Sequence, residues 1–274
     1  MSDQAELLAR IAAALEALVG PPAAATDWFA APAYVWDGAA RPVDAIAAPP
    51  LDLIKGIDAQ KAKVTANVAR FAAGHAAHDM LLWGARGTGK SVLLRAAVAE
   101  AQRLDPASIA LVQVAPEALG SLTTLFAALA GTNRRFLVFI DDLGFEDGDT
   151  AGPRALRSWL EGGVEARPGN VRLAVTSNRR AIVPRHLSEQ DDPINPRDAV
   201  DDQLALADRF GLSVGFHACS QDDYLAIVAG YAQHYGLAFA EADALEWSKR
   251  RGARSGRVAW QFITELAGSA RKAL

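Results

Sequence analysis

The chain of 274 residues has one cysteine, Cys219, so no internal disulfide can form. With no second thiol near it in sequence, Cys219 reads as a small buried hydrophobe rather than a nucleophile or a metal ligand. Excess positive charge is also missing. Against 28 lysines and arginines stand 32 aspartates and glutamates, a formal net charge of -4, which excludes a surface that is basic throughout and sheathes nucleic acid. No apolar run reaches the roughly eighteen uninterrupted residues that a membrane span needs. The acidic start, Met1 to Glu6, lacks the basic region that precedes the apolar stretch of a signal peptide, so the expected location is cytoplasmic. Internal repeats and low-complexity tails are lacking too.

What the chain does have is apolar content, 51% of positions, enough for one large or two modest cores. Leu7, Leu8, Ile11, Leu15 and Leu18 recur at helical spacing from Ala5 to Val19, and Gly20-Pro21-Pro22 stops the pattern. The segment from Ala23 to Pro50 is rich in alanine and proline, yet it carries Trp28, Phe29, Tyr34, Val35 and Trp36, which a bare linker would waste. A short, packed strand pair is expected there. A helix follows from Asp58 to about Ala73. Then five apolar runs, starting at Met80, Ile109, Phe136, Val171 and Leu212, alternate with helical patterns, the signature of a mainly parallel sheet covered on both faces. Beyond Phe216 only helical patterns remain, at Gln221 to His234, Ala240 to Arg250 and Gly256 to Ala270. The expected units are an N-terminal extension (1–50), an α/β domain (51–217) and a helical lid (218–274).

Between the first run and its helix stands Gly84-Ala85-Arg86-Gly87-Thr88-Gly89-Lys90-Ser91, followed by Val92. Glycines at this spacing let backbone amides approach phosphates, which then sit at a helix N-terminus. Lys90 is expected to neutralise phosphate charge, and Ser91 to offer its hydroxyl to Mg²⁺. The third run ends in Asp141-Asp142. Asp141 is the expected Mg²⁺ partner through water. Asp142 stands where a glutamate usually polarises the attacking water, and Glu146 is a candidate to share that work. The fourth run ends in Thr176-Ser177-Asn178-Arg179-Arg180. If that strand lies between the first and the third, Asn178 is placed to orient the water.

Together these features resemble the AAA+ ATPases from about Leu53 to the C-terminus. The resemblance implies a three-layer αβα core with a five-stranded parallel sheet ordered 5-1-4-3-2, a helical lid, ATP and Mg²⁺ as cofactors, and ring-forming homo-oligomers. Ala207-Asp208-Arg209-Phe210-Gly211 resembles the arginine-finger element of RuvB-type motors and replication initiators, so Arg209 would serve a neighbouring subunit. Gly256-Arg257-Val258-Ala259 resembles their sensor 2 motif, with Arg257 reaching the phosphate in cis and Arg254 as the alternative. Ile54, Gly56, Ile57 and Ile227 would close over adenine. More narrowly, the motif set looks like a bacterial AAA+ family of unassigned function.

Two classes of activity stay open: a motor that remodels or loads a protein or DNA partner, and a switch or scaffold that hydrolyses ATP slowly, which the aspartate at 142 favours. A small-molecule kinase leaves Asn178, Arg209 and the lid unexplained. Pro116 to Ser121 has no aromatic of the kind found in peptide-threading pore loops. Candidate groups for DNA are Arg179, Arg180, Arg185, Lys249, Arg250, Arg251 and Arg254. His75 and His78 share a face but have no further ligands nearby, so no metal beyond Mg²⁺ is expected.

Overall fold

The computed structural model describes residue 10 and residues 26–144, 156–160, 167–178 and 208–274. The helix expected from Ala5 to Val19 lies outside this set apart from Arg10, as do Glu146, Arg179, Arg180, Arg185 and the acidic stretch from Ser188 to Asp202.

Two strands come first, β1 (Ala33–Trp36) and β2 (Ala40–Val43), then helix α1 (Asp58–Ala72), β3 (Met80–Gly84), α2 (Lys90–Leu104), β4 (Ile109–Val114), α3 (Leu122–Ala130), β5 (Arg135–Ile140), β6 (Val171–Ser177) and β7 (Leu212–Phe216). The lid helices are α4 (Gln221–His234), α5 (Glu241–Arg250) and α6 (Gly256–Ser269). The strands form one sheet in the order β2-β1-β4-β5-β6-β3-β7. This corrects the expected five-stranded sheet and its order. The strands taken as first to fifth stand in it as β3, β4, β5, β6 and β7, but the sheet does not end at β4. There β1 adds in parallel, with Ala33 beside Leu111 and Trp36 beside Val114, and β2 closes the edge antiparallel to β1.

The physical reason lies in β4 and in the aromatic segment before it. Five of the six residues of β4 are buried, and an edge strand that is apolar on both faces invites unwanted pairing unless something covers it. β1 provides the cover and alternates as a strand must. Ala33 joins the apolar cluster on one face, while Tyr34 and Trp36 join the other. The same alternation separates Leu81 from Met80 and Leu82, and Phe136, Val138 and Ile140 from Leu137 and Phe139. One face packs on α1 and α2 through Val64, Val68, Phe71, Leu93, Leu94 and Val98. The other packs on α3 and on helical residues 156–160. Fully burying each such aliphatic side chain contributes roughly 1.5–3 kcal/mol.

The lid has its own apolar cluster, built on Tyr224, Val228, Ala244, Val258, Phe262 and Ile263. Cys219 packs against it, and burial pushes its thiol pKa up to about 11, which leaves it an unreactive apolar group at neutral pH. Among the described residues, no helix is long and apolar enough to cross a membrane, and no group of three His, Cys, Asp or Glu residues is arranged to hold a metal ion.

Candidate nucleotide site

The site lies at the C-terminal ends of β3, β5 and β6, where a parallel sheet leaves its ligand crevice. The loop from Gly84 to Gly89 requires its glycines. At Gly84 φ is 131° and an added Cβ would stand 2.0 Å from the Phe216 carbonyl oxygen, so no side chain fits. Gly87 and Gly89 also have left-handed φ, 77° and 95°, a region that costs other residues strain. Gly89 is the N-cap of α2, so the helix opens directly beneath the loop. The Thr88 hydroxyl donates to the Ala85 carbonyl (2.8 Å) and tightens the turn.

Lys90 is 7% exposed. Its ammonium donates to the carbonyls of Gly84 (2.7 Å) and Ala85 (2.8 Å). Burial lowers its pKa, and the carboxylates of Asp142 and Asp141 pull it back up. The next residue links the loop to β5, for Ser91 Oγ donates to Asp141 Oδ1 at 2.6 Å. A hydroxyl from the helix and a carboxylate from the strand end thus meet at one point, a donor set suited to a hard divalent cation. Val92, beside them, is part-buried against the α1–α2 face of the core.

β6 does lie between β3 and β5. This brings Asn178 to Asp142, where Nδ2 donates to Oδ1. The strand also delivers Thr176, to which the sequence reading gave no role. Its Oγ1 donates to Asp141 Oδ1 (2.6 Å) and accepts the Asp142 N–H (2.8 Å), so one hydroxyl orients both acidic residues. The signal was a threonine two positions before the strand-end asparagine. Arg86, expected only to supply backbone to the cradle, turns its guanidinium toward Asp142 Oδ2 at 3.7 Å.

The lid touches the loop directly. The Gly256 N–H donates to the Gly87 carbonyl (3.1 Å), and Ser255, buried, caps α6 by accepting the Val258 N–H. Arg257 is therefore one residue from a contact with the Gly84–Gly89 loop, and an added Cβ on Gly87 would lie 3.6 Å from its Cβ. On α4, Asp223 abuts Gly56, and Lys55 lies beside Gly230. Ile227 falls between them on the same helical face, four residues from Asp223 and three from Gly230. Ile54 is buried in the core, and Ile57 reaches toward Gly89, 3.5 Å from the position of an added Cβ.

Arg209 is not part of this constellation. Register pairs Met80 with Leu212 and Gly84 with Phe216, so Arg209, three residues before Leu212, lies beyond the opposite end of β3 from the loop. The length of that strand, about 13 Å, intervenes.

Solved structures that share the fold include an AAA domain. A variant of Thermotoga maritima RuvB is 19% identical, with a TM-score of 0.55 over 81% of this chain, which spans 66% of RuvB, just under two thirds. The FIGL-1 AAA domain in complex with ADP is 15% identical, with a TM-score of 0.51 over 80% of this chain and 73% of that one. The Aeropyrum pernix ORC1 protein in complex with DNA is 15% identical, with a TM-score of 0.54 over 81% and 65%. No curated protein matches the sequence. The fold is thus that of the AAA+ ATPases, and the chain belongs to the family described as Protein of unknown function (DUF815), whose pattern runs from residue 29 to residue 270.

Proposed function

We propose that the protein binds ATP with Mg²⁺ and hydrolyses it as an oligomer, coupling turnover to the remodelling or loading of a protein or DNA partner. The observation that carries this reading is the meeting of Ser91 and Asp141 in front of a buried Lys90 and a loop that tolerates no side chain at Gly84. The residues fit the nucleotide's demands. Backbone amides from Gly84 to Gly89 hold phosphates, Lys90 offsets their charge, and Ser91 and Asp141 hold the cation. Bound Mg²⁺ would neutralise charge developing on the transferred phosphoryl group. Asn178 and Asp142 position water, Arg257 closes the site from the lid, and Ile54, Gly56, Ile57 and Ile227 line the base. Arg209 serves a neighbour's site, so the protein acts as a homo-oligomer, a ring, and its proposed location is the cytoplasm. RuvB of Thermotoga maritima is a Holliday junction branch migration motor and ORC1 was solved with DNA; for this chain a DNA partner stands beside a protein client as an alternative.

One observation favours slower turnover. Asp142 has a shorter side chain than the usual glutamate, and Asn178 binds one of its oxygens. That describes a nucleotide-dependent switch. Calorimetry tests the common part of the two readings: Lys90→Ala is expected to abolish ATP binding, and retained affinity would refute both. Steady-state hydrolysis at rising protein concentration, with and without DNA, then separates them. A motor accelerates on assembly or with its partner, whereas a switch stays slow and gains turnover in Asp142→Glu.

A further inference from the structure

Four charged side chains meet in the site and balance one another, Arg86 and Lys90 against Asp141 and Asp142. Asp141 Oδ1 takes two hydroxyl protons, from Ser91 and Thr176. Asp142 is held differently. Its φ of 53° is left-handed, rare for a residue other than glycine, and its N–H is fixed on Thr176. Asn178 donates to Oδ1, and the Arg86 guanidinium faces Oδ2. Both carboxylate oxygens therefore have protein partners. Arg86 lies on the phosphate loop itself, with its side chain 76% exposed.

We propose that Arg86 is a latch on Asp142. In the nucleotide-free site its guanidinium engages the carboxylate oxygen needed to polarise water, and a triphosphate in the cradle draws it away and frees that oxygen. The inference rests on the ATPase reading above and adds a residue that acts through Asp142. Its physical basis is a competition between acceptors. A guanidinium pairs with phosphate as readily as with carboxylate, and a triphosphate carries several charges where Asp142 carries one. The weakness of an exposed ion pair suits the role, because the hand-over needs only a small differential affinity. A buried, bidentate pair would resist the exchange.

The test is a binding cycle that needs no turnover. Affinity for a non-hydrolysable ATP analogue is measured by calorimetry for the wild type, Arg86→Ala, Asp142→Asn and the double variant. Removing the Asp142 charge raises affinity in either background by relieving repulsion. With Arg86 present it also releases the guanidinium, so the gain is expected to be larger there, by about three-fold, as suits an exposed pair. Equal gains in the two backgrounds overturn the latch and leave Arg86 a phosphate contact only. A wild type that binds no analogue overturns the nucleotide reading itself, so the two failures are distinguishable.

Discussion

At the level of one residue, burying the Lys90 ammonium works against stability. Burial holds its ammonium pKa below the ordinary 10.5, and Asp142 and Asp141 only partly restore it. The unfolded chain therefore binds that proton more tightly than the folded one. Below the folded pKa the full penalty applies, and stability rises with pH from there up to 10.5. The nucleotide-free wild type is accordingly expected to gain stability relative to Lys90→Met as pH climbs towards 10.5, measured as the difference in urea midpoints. A difference that moves the other way would show that the two carboxylates, not burial, dominate. The glycines at 84, 87 and 89, Lys90 and Ser91 stand out in the sequence because their spacing lies along one strand–loop–helix unit, and Asp141 because it ends an apolar strand. Thr176 and Arg86 were not, because their roles depend on which strand lies beside which.

Single side chains also decide how elements join, and Arg134 is the clearest case. It is buried just before β5, with one guanidinium nitrogen donating to the carbonyls of Trp28 and Ala31 and the other to those of Pro106 and Ile109. Burial lowers its pKa, yet the planar fork satisfies four acceptors from two separate segments, which an ammonium cannot do. With the Trp36 indole N–H on Ser121 Oγ (2.8 Å), it pins β1 to the β4 edge. Arg134→Met removes these donors, although Ile109 keeps the Gln102 amide (3.0 Å), and is expected to cost about 3–5 kcal/mol in chemical denaturation. Amides of β1 should lose hydrogen-exchange protection before those of β5. A cost below about 1 kcal/mol would mean that solvent satisfies the carbonyls and that β1 is held by packing alone. The sequence marked the aromatic segment as packed and as a strand pair. It gave no sign that the pair would enlarge the sheet, because pairing with β4 is a contact across more than seventy residues.

On the scale of the whole molecule, the separation of Arg209 from Gly84 bears on whether one chain can be active. Within one subunit the finger and the cradle lie at opposite ends of β3, so the proposed chemistry requires two copies. Arg209→Ala is expected to leave ATP affinity unchanged and to lower turnover by about 10³-fold or more. Mixing it with Lys90→Ala should recover part of the activity, since one variant keeps the cradle and the other keeps the finger. Unchanged turnover in Arg209→Ala, or a mixture as inactive as its components, would rule out action in trans. The sequence by itself determined the glycine loop between strand and helix, the alternation of strands and helices and the C-terminal helices, because glycine spacing and apolar period are local properties of the chain. Only the tertiary structure decided that, among the described residues, the sheet has seven strands, that Thr176 joins the two acidic residues and that Arg86 faces Asp142. Each of these depends on non-local pairing, where register and burial choose the neighbours.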